Sequence, residues 1–146
     1  MGLIDFVMNA GKNLFGESEE EAAARGTALT NHVNKMGLDV QDFAVEVSEE
    51  TATVRGTAPS QAVREKVVLA VGNTEGIAKV DDLMTVEAPE PEATYYTVVR
   101  GDTLSKISKE HYGDAMKYPV IFEANKPMLQ DPDKIYPGQV LRIPPQ

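Results

Sequence analysis

The chain has 146 residues, of which 42% are apolar and 25% charged, a composition typical of one or two compact globular domains. It contains no cysteine, which excludes disulfides and cysteine nucleophiles, and its two histidines are too few for a multi-histidine metal centre. A formal net charge of −9 argues against nucleic-acid binding, because phosphate recognition needs clustered cations, and it favours cationic partners.

Residues 1–16 form an amphipathic N-terminal segment. Their apolar residues recur every three or four positions, which predicts a short helix that packs on the following domain: Leu3, Phe6, Val7, Ala10 and Leu14. The segment is a poor secretion signal, because Asp5 interrupts its apolar run and the first lysine, Lys12, follows that run. No stretch approaches the roughly 18 apolar residues of a membrane span. We expect a cytoplasmic protein without a membrane span, and we expect it to be a monomer.

Residues 17–86 have the pattern of a small mixed domain with the order helix, strand, strand, helix, strand. A helical stripe of apolar residues ends at Gly37. Alternating apolar and polar residues over 43–48 predict a strand with one buried face, and 51–57 predict the strand that returns beside it. Ser60 is placed to cap the second helix, and a third strand is predicted over 77–86.

A linker rich in proline and glutamate, residues 87–94, separates this domain from the last one, because such a composition favours an extended and solvated chain. Residues 95–146 then predict the order strand, helix, helix, strand. These elements are a strand over 96–99, helices over 104–112 and 118–125, and a closing strand within 135–144.

Two family resemblances follow from these elements and their motifs. Residues 24–86 resemble a BON domain, notably in the glycine-rich turn and strand of Val71-Gly-Asn-Thr-Glu-Gly-Ile-Ala-Lys-Val-Asp-Asp82. Residues 95–144 resemble a LysM domain through three motifs in register: Gly101-Asp-Thr-Leu-Ser-Lys-Ile107, Ile121-Phe-Glu-Ala-Asn125 and Ile135-Tyr-Pro-Gly-Gln-Val-Leu-Arg-Ile143. The expected fold class is α+β with two small domains, an αββαβ sandwich after an N-terminal helical segment and a βααβ domain.

The arrangement as a whole resembles a family of small bacterial cytoplasmic potassium-binding proteins, each with one BON and one LysM domain. This resemblance implies a non-enzymatic K⁺ sensor or buffer, in which main-chain carbonyls of the BON half hold the ion and the LysM domain responds to occupancy. It implies carbonyl ligands at Val7, Ala10, Gly72, Thr74 and Ile77.

The chemistry of K⁺ agrees with a site that has no side-chain signature. Several neutral carbonyl oxygens replace the hydration shell of this large monovalent ion, whereas carboxylate cages favour divalent ions. Carbonyls are unsatisfied where helices end, and glycines let the chain turn them inward. Two such places are residues 7–11 and residues 72–77. The alternative is that both are ordinary helix ends.

A second hypothesis is that the protein binds glycans. LysM domains bind N-acetylglucosamine-containing glycans such as peptidoglycan, which implies a groove between Gly101, Asp102, Thr103 and Leu104 on one side and Pro127, Met128, Leu129 and Ile135 on the other. The alternative is that Asp102 and Thr103 only cap a helix and that the other residues belong to the core. A protein partner through the same domain also stays open.

Other functions are less favoured by the sequence. Lipid association of residues 1–16 would need several basic residues, and Lys12 is alone there. The pair Asp81 and Asp82 lacks the spacing of a calcium loop and predicts a solvated acidic surface. No nucleophile elbow, phosphate-binding loop or metalloprotease motif is present, so we expect no catalysis.

Overall fold

The computed structural model describes residues 2–6, 22–74 and 76–145. The N-terminal domain consists of a sheet and two helices around one core. Its elements are β1 (Gly2–Asp5), α1 (Ala22–Asn34), β2 (Gln41–Ser48), β3 (Thr51–Ala58), α2 (Gln61–Gly72), β4 (Lys79–Asp82) and β5 (Thr85–Val86). The strand order is β1-β4-β3-β2, and β5 continues the sheet beside β3.

The central strands follow from local sequence. β2 and β3 form an antiparallel hairpin in which Val45 and Val47 are each only 6% exposed, as their alternation with polar residues predicts. β3 and β4 are parallel, so the chain must cross over between them, and α2 makes this crossing. Ser60 caps α2, its hydroxyl accepting from the N–H of Val63 at 3.2 Å.

The N-terminus differs from the sequence prediction. Residues 2–5 are a strand rather than the start of a helix, and they pair antiparallel with β4, with Leu3 opposite Asp81. The apolar spacing of three or four favours a helix, but here the pairing with the open edge of β4, which only the tertiary fold creates, overrides it. The predicted apolar positions Val7, Ala10 and Leu14 lie outside the described residues.

The C-terminal domain has the expected βααβ order around a second core. Its elements are β6 (Thr94–Thr97), α3 (Leu104–Tyr112), a short 3₁₀ helix (Ala115–Lys117), α4 (Tyr118–Ala124) and β7 (Val140–Ile143). β6 and β7 pair antiparallel, and Leu104, Ile107, Ile121 and Leu141 are buried behind them. The fold class of two small α+β domains is therefore confirmed.

The two domains pack against each other. Val140 of β7 belongs to the core cluster of the N-terminal domain, and Tyr95 and Met128 pack on that cluster as well. α2 of the N-terminal domain contacts β7. None of the described helices combines the length and the apolar character that crossing a bilayer requires.

Candidate functional site

The last residue of α2 and the loop that follows it, together called the α2 loop, carry three of the predicted carbonyl ligands. Gly72, Thr74 and Ile77 are all buried there. The N–H of Ile77 donates to the carbonyl of Thr74 at 3.1 Å, which closes a turn directly after the helix. No backbone hydrogen bond between described residues ends on the carbonyl of Gly72 or of Ile77. Because a helix C-terminus carries partial negative charge, this loop has both the oxygens and the electrostatic sign that a cation needs.

Phe6, the residue directly after β1, contacts the same loop. Its N–H donates to the carbonyl of Ala78 at 2.8 Å, which extends the contact between β1 and β4 beyond Asp5. The aromatic ring lies against Gly72 so closely that a Cβ at position 72 would overlap it. Phe6, which precedes Val7 in the sequence, therefore lies directly at the end of α2. Val7 and Ala10 themselves lie outside the described residues.

Arg25 on α1 ties the loop to the rest of the sheet. Its guanidinium donates to the carbonyl of Gly76 at 3.2 Å and to the carbonyl of Glu49, in the turn between β2 and β3, at 2.8 Å. Gly76 has a φ of +94°, a backbone conformation that residues other than glycine rarely adopt. The path of the loop is thus set by Gly76 and by the hydrogen bond that the guanidinium of Arg25 donates to its carbonyl.

The acidic residues of β4 do not form the solvated surface that the sequence predicts. Asp82 is only 5% exposed, and it pairs with Arg64 of α2 at 2.7 Å while accepting from the N–H of Met84 at 3.0 Å. The prediction was wrong for Asp82, because its face of the strand is covered by α2. Asp81 points to the other face and is half-buried.

The donor chemistry of the α2 loop suits a large monovalent cation. The available oxygens are neutral carbonyls at a helix C-terminus, which is the kind of ligand that replaces the hydration shell of K⁺. Within residues 2–6, 22–74 and 76–145, no three acidic or histidine side chains gather in a way that would hold a metal ion. The structure thus brings Gly72, Thr74 and Ile77 together in one loop.

The first wall of the predicted glycan groove is engaged within its own domain. The hydroxyl of Tyr96 donates to Asp102 at 2.6 Å and the N–H of Val99 donates to the same oxygen at 3.0 Å. This bond to Asp102 raises the pKa of Tyr96 to about 12. Burial opposes ionisation of Asp102, but the two hydrogen bonds and the charge of Lys106 together lower its pKa. Thr103 caps α3 and Leu104 is 2% exposed, while Gly101 is exposed.

The second wall of that groove faces the N-terminal domain. Met128 packs on the cores of both domains, and its sulfur receives the side-chain N–H of Asn73 at 3.3 Å. Pro127 and Leu129 line a cleft of about 270 Å³ between the domains, and Ile135 packs on the C-terminal core. Among the described residues, this wall is lined by the N-terminal domain as well as by the LysM-like domain, so it does not form a separate groove.

A buried ion pair joins the domains, and the sequence analysis missed it. Arg142 of β7 binds Glu65 of α2 at 2.8 Å, with side chains only 8% and 3% exposed. Glu65 also accepts from the side chain of Gln61 at 3.0 Å and from the backbone N–H of Ala93 at 3.0 Å, and Arg142 donates to the carbonyl of Ala124 at 3.2 Å. One buried carboxylate thus connects α2, the end of the linker and the C-terminal domain.

Signals for this contact were present in the sequence. A single arginine interrupts the apolar run of β7. Of the four positions spaced four apart along α2 and its C-cap, three are polar, Gln61, Glu65 and Asn73, and the other is Leu69. Residues four apart share one helix face, and all four of these are buried. A buried polar stripe on one element and a lone cation on another predict a paired contact between them.

Comparisons with known families agree with this architecture. The BON domain model matches residues 22–88 and the LysM domain model matches residues 96–144. Neither domain is catalytic, in agreement with the expectation that this chain is not an enzyme.

Curated relatives match very different shares of the chain. The potassium binding protein Kbp of Escherichia coli O6:H1 is 48% identical over 149 aligned positions, which cover 99% of this chain and 99% of that protein. An uncharacterized protein of Deinococcus radiodurans is 53% identical over 51 residues, 35% of this chain and 19% of its own length. An esterase of Mycobacterium tuberculosis is 51% identical over 53 residues, 36% of this chain and 11% of the esterase.

Of these three relatives, the one from Escherichia coli matches along both domains and through the loop that follows α2. The two shorter matches leave most of their own chains unmatched, so the esterase activity does not transfer. By its domain order and its full-length identity, the chain belongs to the family of two-domain BON–LysM proteins that includes Kbp.

Proposed function

We propose that this protein binds K⁺ as a sensor or buffer in the cytoplasm, working as a monomer and without catalysis. The ion is held by the backbone carbonyls of Gly72, Thr74 and Ile77 from the α2 loop and of Val7 and Ala10 from the N-terminal segment. The LysM domain responds to occupancy because it docks on the helix that ends at this site. The full-length relative named for potassium binding supports the identity of the ion.

One observation supports the proposed location of the ion site. Phe6 lies against Gly72, so the residue before Val7 meets the C-terminal end of α2 at a point where only a glycine fits. Two chain segments remote in sequence are thereby held side by side, each next to proposed carbonyl ligands. An ion that is bound by carbonyls from both segments holds one segment against the other.

The choice of a monovalent ion rests on charge. A divalent ion prefers several carboxylates, whereas the described ligands of the α2 loop are neutral. The guanidinium of Arg25 donates to the carbonyl of Gly76 in the same loop at 3.2 Å, and a neighbouring positive charge penalises a divalent ion more than a monovalent one. The arrangement therefore supports K⁺ over Ca²⁺ or Mg²⁺.

Glycan binding is not favoured as a second function. Asp102 and Thr103 already serve a turn and a helix cap, and Met128 is engaged by the BON domain. A glycan that used both walls of the groove would compete with this contact between the domains.

Titration calorimetry of the full chain with KCl, against NaCl at equal ionic strength, tests the proposal. We expect saturable heat with K⁺ and none above dilution with Na⁺; equal signals from the two salts would refute K⁺ binding. Thr74→Val is the matched control, because it removes a hydroxyl that donates to the carbonyl of Ala70 at 3.2 Å and keeps the main-chain oxygen. The K⁺ response of Thr74→Val should stay within about threefold of the wild type, and a complete loss would indicate side-chain ligation.

A further inference from the structure

Asn73 makes a two-point contact from the BON domain to the main chain of the LysM domain. Its side-chain amide donates to the carbonyl of Val140 at 2.8 Å and accepts from the N–H of Val140 at 2.8 Å. Asn73 is only 6% exposed. An amide that donates to and accepts from one residue reproduces the pairing that a neighbouring strand would make.

Asn125 makes the same kind of contact two residues further along β7, at Arg142. Its amide donates to the carbonyl of Arg142 at 3.0 Å and accepts from the N–H of Arg142 at 2.8 Å. Alternate residues of a strand direct their N–H and C=O groups to the same edge, so Val140 and Arg142 share the edge that faces away from β6. Two asparagines, one from each domain, therefore stand where a third strand would lie.

The position of Asn73 in the chain connects this edge to the proposed ion site. Asn73 is the C-cap of α2, its own N–H bonds to the carbonyl of Leu69 at 2.9 Å, and it lies between Gly72 and Thr74. Carbonyls that turn toward an ion rotate the peptide planes on both sides of its Cα. Its short, buried side chain transmits such a rotation directly to Val140, because few rotatable bonds lie between them.

We propose that Asn73 is the positioning residue that couples occupancy of the α2 loop to docking of the LysM domain on β7. This inference rests on the proposed function, since it assumes that the loop holds K⁺. Only asparagine satisfies both groups of Val140 at this distance. Aspartate would place a carboxylate against the carbonyl of Val140, and alanine would leave both groups unpaired.

Amide hydrogen exchange of the full chain, followed by NMR in KCl and in NaCl, tests the coupling. The N–H of Val140 depends on Asn73 and reports docking, whereas the N–H of Arg142 depends on Asn125 and serves as the control within the LysM domain. In the wild type, K⁺ should slow exchange at Val140 by several-fold more than at Arg142.

In Asn73→Asp and Asn73→Ala, exchange at Val140 should be at least about tenfold faster than in the wild type, the factor that one buried hydrogen bond corresponds to. It should no longer respond to K⁺, while Arg142 stays protected and shows that the LysM domain is folded. A K⁺ effect that persists at Val140 in both variants overturns the coupling. So does a wild type that gives K⁺ heat by calorimetry but no K⁺ effect at Val140, and this result leaves the proposed function standing. Absence of K⁺ heat in the wild type refutes the proposed function, and the coupling fails with it.

Discussion

At the scale of single residues, the contact between Phe6 and Gly72 holds the end of β1 against the end of α2. Alanine in a helix is ordinarily more stable than glycine by about 1 kcal/mol. At position 72 this preference is reversed, because the added methyl would overlap the ring of Phe6. A stability loss from Gly72→Ala therefore measures the contact and not the helix propensity.

We predict that Gly72→Ala lowers the free energy of unfolding by about 1–3 kcal/mol and weakens K⁺ binding. Phe6→Leu removes part of the ring, so the double variant should lose less than the sum of the two single variants. Urea unfolding of all four proteins in a double-mutant cycle measures this coupling. Additive losses would show that Phe6 and Gly72 do not meet.

We expect a second residue contact, between Tyr96 and Asp102, to make the stability of the LysM domain depend on pH. The folded pKa of Asp102 lies below its ordinary value of 3.8, so its contribution to stability is present above that value and is lost as the pH falls through the folded pKa. Tyr96→Phe removes the hydrogen bond to Asp102 and keeps the ring that packs on His111 at 5.2 Å.

We expect Tyr96→Phe to melt at a lower temperature than the wild type at pH 6, with the gap narrowing below pH 4 as Asp102 becomes protonated. Thermal melts by circular dichroism between pH 2 and pH 6 follow this gap. If the gap is the same at every pH, the Tyr96 bond does not act through the charge of Asp102.

At the scale of elements, α2 is the part of the BON domain on which both the ion loop and the LysM contact depend. Its N-terminus is fixed by Ser60, whose hydroxyl accepts from the N–H of Val63. Its C-terminal end carries Gly72 and Asn73. Loosening the first turn therefore weakens a helix whose C-terminal end carries the proposed ion ligand Gly72 and the contact residue Asn73.

We predict that Ser60→Ala lowers the free energy of unfolding by about 1 kcal/mol, as loss of an N-cap does elsewhere. Ser60→Asp should keep most of the stability, because its carboxylate caps the same N–H and suits the positive end of the helix dipole. Urea denaturation of both variants compares them. Equal losses would indicate that residue 60 acts through something other than capping.

Most elements could be predicted from sequence because their signals are local. The alternation in β2, the cap at Ser60 and the LysM motifs each specify a conformation without reference to distant residues. β1 could not be predicted in this way, since it is a strand only by pairing with β4. Element order is thus readable from periodicity, and edge pairing is not.

The candidate ion site was reached through family resemblance for a physical reason. Main-chain carbonyls occur at every residue, so a site built from them leaves no pattern of side chains to find. The glycines at positions 72 and 76 were the available signal, and each has a structural need here, a close ring at Gly72 and a positive φ at Gly76. They indicate an unusual loop but not the ion that it binds.

At the scale of the whole molecule, the buried pair of Glu65 and Arg142 holds the two domains in one arrangement. Removing one partner of such a pair leaves an uncompensated charge, whereas replacing both with apolar residues can be nearly neutral. An exposed pair in the same protein, Arg55 with Glu46 at 3.7 Å, provides a matched comparison.

We predict that Arg142→Met destabilises the protein by about 3–5 kcal/mol and that adding Glu65→Leu recovers most of this loss. Arg55→Ala should cost less than about 1 kcal/mol, because its pair is exposed to solvent. Urea unfolding of the three variants gives these differences. If the double variant is no more stable than Arg142→Met, the loss comes from the packing of Arg142 and not from the unpaired carboxylate.

The account as a whole depends on where the ion lies. Crystals grown in KCl and exposed to X-rays with a photon energy just above the potassium absorption edge locate K⁺ by its anomalous scattering. We predict one peak enclosed by the carbonyls of Gly72, Thr74 and Ile77, with Phe6 packed beside it, and no such peak in crystals grown in NaCl. A potassium peak coordinated by side-chain carboxylates elsewhere, or no peak at the end of α2, would contradict the account.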